Sequence, residues 1–260
     1  MEYLDTLPIW AVFAGLVILV LVTAEIGFRA GIWLQDRGSE VGENRMTSSV
    51  VGGMLSLLGL LMAFSIGITI GHHGERKAMV VTEANAINTA WLRSGFLDEP
   101  DSVLMRKLLR EYTEVRLEAA NQQIELPVAM THSEEIHKKL WAVVENNVRQ
   151  GNDTDIMTSL VESVNNVINT HNRRLTAATK RLPRILGITL LAATLLSFLL
   201  VGVASSADRK RDTAAILIFA LAFIAVQMIM VDLDRPHEGM LTVSQTAMTD
   251  LLRQITPVNQ

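Results

Sequence analysis

The sequence of 260 residues contains no cysteine. This absence excludes disulfide bonds, thiolate metal sites and cysteine nucleophiles, although it does not identify a cellular compartment. Strongly basic composition is also missing, because the formal net charge is −4. Proteins that bind nucleic acid usually carry a basic stripe or patch. We therefore expect no nucleic-acid partner.

Charged residues are absent from four long segments. These segments contain no Asp, Glu, Lys or Arg, and they are Pro8–Ala24, Val50–Gly71, Ile185–Ala204 and Thr213–Val231. An apolar helix needs roughly 17–25 residues to cross a bilayer, and lipid offers the backbone no other hydrogen-bond partners. The sequence therefore predicts an all-α integral membrane protein with four transmembrane helices in two hairpins and the lipid bilayer as a partner. The acidic residues Glu2 and Asp5 argue against a cleaved signal peptide, so we expect the first segment to remain as an anchor.

The order of apolar runs and polar segments predicts four regions along the chain. We expect a first transmembrane hairpin over 1–74, an extramembrane helical bundle over 75–181, and a second hairpin over 182–231. A tail with a short amphipathic helix then occupies 232–260. Since each crossing changes sides, both termini and the bundle should share one membrane face. Lys and Arg residues near the helix ends are divided too evenly to decide which face is cytoplasmic.

Helix boundaries inside the predicted bundle follow from local signals. Thr131 and Glu134 have the spacing of a capping box, which predicts a helix start at Thr131. Gly151 marks a break before the last helix of the bundle. An apolar stripe then continues towards the third crossing, and we interpret Pro183 as a kink in one continuous helix.

A ridge of small residues runs along the second crossing. Gly59, Ala63, Gly67 and Gly71 are four residues apart, so they lie near one helix face. Such ridges allow close packing of another helix. Alternatively, the ridge lines a pore, with polar atoms supplied by Ser56, Ser65 or Thr69. The candidates for pore lining or helix packing are Ser56, Gly59, Ala63, Phe64, Gly67 and Gly71.

A second group of candidates is charged and lies at the predicted membrane surface. Its members follow the second or the fourth crossing, and they are Arg76, Glu83, Asp232, Asp234 and Arg235. Parity places them on one face, where ion pairing between them is sterically reasonable, and partly buried charges need partners. The group is interpreted either as a structural clamp or as an ion-binding or gating element.

Enzymatic and metal chemistry have little support in the sequence. The six histidines lack the spacing of metal ligands, and no His-Glu-x-x-His stretch is present. We therefore expect solvated or interfacial histidines, no metal site, no cofactor and no catalytic residues. Gln227 is the only amide side chain inside a crossing, where we expect it to hydrogen-bond a neighbouring helix.

Several stretches together resemble one family of bacterial membrane proteins. They are the segment 57–65 in the second crossing, Glu-Ala-Asn-Ala-Ile at 83–87, the segments 89–93 and 112–116, and Asp-Leu-Asp-Arg-Pro at 232–236 with Gly239. The chain resembles the bestrophin-like family from about Val50 to Leu252. Bestrophins are oligomeric anion channels with four crossings per subunit, and their second crossing lines the pore. The sequence has no acidic calcium-clasp run, and Phe64 is the one convincing counterpart of the neck aromatic residues.

The resemblance implies a homo-oligomer in the bacterial inner membrane with its bundle and termini in the cytosol. The leading hypothesis is thus an oligomeric ion channel, with inorganic anions as the expected cargo. The alternative is a non-conducting membrane sensor or scaffold whose helical insert binds a ligand or partner. The stoichiometry of the assembly and the identity of the helix that lines its axis would distinguish these hypotheses.

Overall fold

The computed structural model describes residues 8–38, 45–151, 154–207, 213–235 and 241–256. These residues form α-helices and no strand, which confirms the all-α prediction. The helices are α1 (Ile9–Asp36), α2 (Arg45–Ser94), α3 (Asp101–Ala120), α4 (Leu126–Arg149), α5 (Asp155–Thr179), α6 (Arg184–Ser205), α7 (Thr213–Asp234) and α8 (Thr246–Ile255).

Four helical segments in the described residues are long and apolar enough to cross a membrane. They are Ile9–Asp36, Thr47–Ser94, Asp155–Ser205, which comprises both α5 and α6, and Thr213–Asp234. Apart from Pro8, which precedes the first helix, each of the four uncharged runs lies within one of them, which confirms the predicted set of four apolar spans. The first two helices extend well beyond their runs into polar sequence.

The chain divides into two compact units. The membrane unit consists of Met1–His73 and Arg181–Thr242, and the bundle unit consists of Gly74–Lys180 and Val243–Gln260. Helix α2 contributes its N-terminal half to the membrane unit and its C-terminal half to the bundle unit.

Glycines allow α1 and α6 of the membrane unit to touch backbone to backbone. A Cβ atom on Gly27 would lie 2.1 Å from the carbonyl oxygen of Leu199, and one on Gly202 would lie 2.0 Å from that of Ala24. Both distances are far below van der Waals contact, so a side chain at either position requires the helices to separate. Apolar side chains, including Val20 and Phe198, complete the packing of this helix pair.

Helices α2, α6 and α7 are joined by a smaller apolar cluster and one polar contact. Leu58 of α2 is buried with Leu190 of α6 and Met230 of α7. In addition, Gln227 Nε2 donates to Thr194 Oγ1 at 2.5 Å. The prediction that Gln227 bonds a neighbouring helix is confirmed.

The core of the bundle unit is continuous across five helical segments. Each segment contributes fully buried apolar side chains, with Ile87 from α2, Leu109 from α3, Leu140 from α4, Val164 from α5 and Met248 from α8. Helix α8 inserts one face into this core and exposes the other, as its amphipathic sequence requires.

Helix α4 begins earlier than the capping-box interpretation predicted. It starts at Leu126, with Pro127 in its first turn, and the Thr131 hydroxyl donates to the carbonyl oxygen of Pro127 inside the helix. The predicted start at Thr131 is therefore wrong. Proline has no backbone N–H, but the N–H groups of the first helical turn have no partner within the helix, so no hydrogen bond is lost. Its fixed φ also suits that position.

The continuous helix predicted through Pro183 is also wrong. Helix α5 ends at Thr179 and α6 begins at Arg184, with non-helical backbone between them. Lys180 is extended, and Pro183 is the N-cap of α6. The residue before a proline is disfavoured in the α conformation, so a break in the helix avoids that strain. The break leaves backbone groups without helical partners, and it is tolerated where those groups bond elsewhere.

Candidate functional site

The small-residue ridge of α2 lies on an uncovered face of the subunit. All six predicted members are exposed, and Phe64 is 66% exposed. No atom of another described element lies within 4 Å of a Cβ built on Gly59, Gly67 or Gly71. At about 100° per residue, this face is opposite the buried side chain of Leu58. We call it the α2 ridge.

Only one of the three polar side chains considered for a pore belongs to the α2 ridge. Ser65 and Thr69 are buried, and their hydroxyls donate to the carbonyl oxygens of Leu61 and Ile66 in the same helix. Ser56 is exposed. Of the three hydroxyls offered for a pore, those of Ser65 and Thr69 lie on the opposite helix face from the glycines, and Ser56 is the one that shares the exposed face.

The acidic residues at the end of α7 hold connecting backbone within the membrane unit. Asp234 Oδ1 accepts a hydrogen bond of 2.7 Å from Leu182 N–H, immediately before the proline that starts α6. The Asp234 carbonyl oxygen accepts from Arg181 at 3.1 Å, and Asp232 accepts from Leu241 N–H at 3.0 Å. Arg235, which follows Asp234 in the sequence, is also buried. Two predicted charged residues thus satisfy backbone groups that no helix satisfies.

Arg76 has a comparable role within the bundle unit. Its side chain is buried, and it donates to the carbonyl oxygens of Ala177 and Lys180 at 3.3 and 2.7 Å. These carbonyls belong to the end of α5, where helix geometry leaves acceptors without partners. Arg76 therefore caps α5, and a cation at a helix C-terminus is also favoured by the helix dipole.

Glu83 lies at the centre of a buried polar network inside the bundle unit. We define the Glu83 cluster by six residues from four helices, which are Glu83, Tyr112, Arg116, His137, His171 and Arg174. The Tyr112 hydroxyl donates to one carboxylate oxygen of Glu83, and Arg174 donates to the other. Arg116 Nε is 3.3 Å from Glu83 Oε1. Arg174 also donates to Gln245 at 2.8 Å, just before α8.

The hydrogen bonds assign one histidine tautomer in the cluster. Tyr112 gives its only hydroxyl proton to Glu83, so its oxygen accepts from Nδ1–H of His171 at 2.9 Å. The His137 ring packs at 4.9 Å between centroids from both Tyr112 and His171. His137 and His171 are both buried. The expectation of solvated histidines is wrong for these two, because their rings fill the core.

Burial and the neighbouring charges set the protonation of the cluster. Burial opposes the Glu83 anion, but Arg116, Arg174 and the Tyr112 hydrogen bond outweigh it and lower the pKa of that carboxyl. Burial, reinforced by the Glu83 anion, raises the pKa of Tyr112 well above its ordinary value. Burial lowers the pKa of His137 and of His171 to about 4 in each case, and the positive charge of Arg116 acts in the same direction. At neutral pH, the carboxylate and two guanidinium groups are charged and both imidazoles are neutral.

The sequence singled out Glu83 but not its partners. A usable signal was present: Glu83 lies beside the apolar stripe of Val80, Ala84 and Ile87. A carboxylate in such a position needs buried cations, and long arginine side chains on other helices can supply them. Which arginines reach it depends on tertiary packing that periodicity does not specify.

Comparisons with known proteins agree with the architecture. A family model described as a bestrophin-like domain matches residues 22–248. A crystal structure of a bacterial bestrophin homologue from Klebsiella pneumoniae is 11% identical, with a TM-score of 0.70, and covers 93% of this chain and 96% of its own. A single-substitution form of that homologue is 12% identical, with a TM-score of 0.70, and covers 94% and 97%. At such low identity the structural likeness shows the fold alone. None of the curated proteins matches the chain in sequence.

Proposed function

Because the chain belongs to the bestrophin-like family, whose bestrophin homologues are known as ion channels, we propose that it forms an oligomeric ion channel lined by α2. The observation that carries this proposal is the uncovered α2 ridge. A subunit with four spans has too few helices to enclose an aqueous path, so several copies must surround the axis. The ridge is the face of α2 that its own subunit leaves available for that purpose.

The composition of the α2 ridge suits a narrow path with one constriction. Its glycines and Ala63 leave width, whereas Phe64 projects a large exposed ring at the same height. Apolar constrictions can control conduction by dewetting. Phe64 is therefore the proposed constriction, and Ser56 offers the path a hydroxyl.

Anions are the proposed cargo. Cation channels commonly place rings of Asp or Glu along the path, and the segment from Val50 to Gly71 contains neither. Selectivity would then depend on dehydration and on polar atoms, not on fixed charge within the span. The resemblance to bestrophins noted from the sequence points to the same cargo.

Purified protein in planar bilayers tests the proposal. Wild-type protein should show discrete conductance, with a reversal potential near that of chloride in a salt gradient. Gly67→Leu should reduce the conductance by filling the path, and Phe64→Ala should increase it by widening the constriction. Gly15→Leu is the matched control, because Gly15 of α1 also has open space around its Cβ position but lies outside the α2 ridge.

Two results would contradict the proposal. Equal effects of Gly67→Leu and Gly15→Leu would remove α2 from the path. Silence of an intact oligomer across ions and pH values would favour the alternative, a non-conducting sensor or scaffold whose helical insert binds a ligand. The Glu83 cluster would then be the first place to look for that ligand, because it is the buried polar centre of the insert.

A further inference from the structure

The Glu83 cluster contains one more positive charge than negative charge. Glu83 contributes to it from α2, Tyr112 and Arg116 from α3, His137 from α4, and His171 with Arg174 from α5. Within the part of the chain that the structure describes, these charged and titratable groups act on one another. With neutral imidazoles, a single carboxylate balances only one of the two guanidinium groups. Arg116 is 5% exposed, so water contributes little to its solvation. Arg116 and Arg174 share the one carboxylate of Glu83, and an excess of buried positive charge is strongly unfavourable.

Two buried nitrogen atoms in the same cluster also have no hydrogen-bond partner among the described residues. They are Nε of Arg116 and Nε2 of His137. The contact between Arg116 Nε and Glu83 is an ion pair at 3.3 Å whose geometry is not that of a hydrogen bond. Buried polar atoms are nearly always hydrogen-bonded, and an unseen water or ion is one of the recognised explanations for an exception. Each of these nitrogen atoms can donate a proton, since neutral histidine can carry its hydrogen on Nε2.

We propose that the Glu83 cluster binds one small monovalent anion, a halide or a carboxylate as small as formate, which accepts hydrogen bonds from Arg116 and His137. A water molecule would satisfy the two nitrogen atoms but leave the excess charge uncompensated, and a cation would increase that charge. The proposed anion is small because the rings of Tyr112, His137 and His171 pack against one another in the same part of the core. The anion would stabilise the bundle unit and is separate from any ion in the proposed pore.

Thermal unfolding of the full-length protein in detergent tests this site. Chloride replaces gluconate stepwise at constant ionic strength and neutral pH, with formate in a parallel series. We expect a saturating rise in Tm of about 3–5 °C with chloride or formate. Saturation with only one of the two identifies the preferred anion. No rise with either would overturn the proposal, because water would then be the occupant.

Variants locate the effect within the chain. In Arg116→Gln, Glu83 keeps its ion pair with Arg174 and the charges balance, so the protein should fold and the anion-dependent rise should disappear. His137→Phe keeps an aromatic ring but removes Nε2, and it should reduce the rise even if Arg116→Gln does not fold. Arg110→Gln is the matched control on α3, since Arg110 is a partly exposed residue paired with Glu114.

The location test is independent of conduction. A rise that persists unchanged in both Arg116→Gln and His137→Phe would show that the anion binds elsewhere, for example in the pore, and would overturn the proposal. In contrast, a loss of the rise in these variants with unchanged bilayer currents would support the site whatever the outcome for α2. Failure of the channel proposal and failure of this one are therefore distinguishable.

Discussion

Burial inside the bundle unit lowers the pKa of His137 and the pKa of His171 from 6.5 to about 4. The unfolded chain takes up protons at these residues as the pH falls below about 6.5, whereas the native protein does so only near 4. The free energy of unfolding should therefore decrease through this window, by about 2 kcal/mol per histidine at about pH 5. Glu83 acts in the same direction, because its lowered pKa contributes stability that is lost as its carboxylate is protonated.

Denaturant unfolding in chloride-free buffer, followed by circular dichroism at several pH values, measures this dependence. His137→Phe should flatten the profile, because one of the two depressed imidazoles is removed. His132→Gln is the control, because it removes a partly exposed histidine of the same helix and leaves both buried imidazoles in place. A profile for His137→Phe that matches the wild type would contradict the assignment.

The Glu83 carboxylate offers a second test at the scale of single residues. Glu83→Gln leaves two guanidinium groups facing a neutral amide, and breaking a buried ion pair in this way typically costs about 3–5 kcal/mol. Glu75→Gln is the matched control on the same helix, because the exposed pair of Glu75 with Lys180 is worth at most about 1 kcal/mol. The difference should appear as a much lower Tm for Glu83→Gln, and similar Tm values for the two variants would contradict it.

At the scale of elements, the α1–α6 contact depends on glycine at two positions. Gly27→Ala and Gly202→Ala each place a Cβ atom against backbone carbonyl groups that cannot rotate away. We expect each to lower the free energy of unfolding by about 1–3 kcal/mol, as overpacking usually does. Gly15→Ala in α1 should be neutral or slightly stabilising, since its Cβ position is open. Thermal unfolding in detergent compares the three, and a Gly27→Ala protein as stable as Gly15→Ala would refute the close contact.

The helices themselves were largely predictable from sequence, but two of their boundaries were not. The uncharged runs identify the spans because lipid permits few alternatives. Pro127 and Pro183, however, are compatible with more than one local structure. Pro127 could end a loop or occupy a first helical turn, and tertiary packing selects the turn. Similarly, the break before Pro183 is tolerable because Asp234 accepts from Leu182 N–H, a contact between residues far apart in sequence.

For the molecule as a whole, features of the candidate sites that lie within one helix were predictable from sequence, and features that depend on contacts between helices were not. The α2 ridge could be recognised because its pattern lies within one helix. Burial of the two histidines was readable in principle, since His171 is four residues from both Val167 and Leu175, and His137 lies between Ile136 and Leu140. The polar network around the two histidines could not be predicted, because it forms only where Glu83 and Arg116, on other helices, meet in one core.

Membrane orientation is the remaining prediction at the scale of the whole chain. Parity predicts that the bundle and the residues that end α1 lie on opposite faces of the membrane, and the resemblance to bestrophins predicts a cytosolic bundle. Because the chain contains no cysteine, a single introduced cysteine is its one site for maleimide labelling. Lys138→Cys reports on an exposed position of α4, and Arg37→Cys reports on an exposed position after α1.

A membrane-impermeant maleimide applied to intact cells should label Arg37→Cys and leave Lys138→Cys unmodified until the cells are lysed. The wild-type chain is the control and should remain unlabelled throughout. Labelling of Lys138→Cys alone in intact cells would show that the orientation is the reverse of the predicted one, and it would remain compatible with four crossings. Labelling of both before lysis would contradict the parity argument, because the single span of α2 lies between the two positions and should put them on opposite faces. Two outside positions would mean that α2 does not cross the membrane.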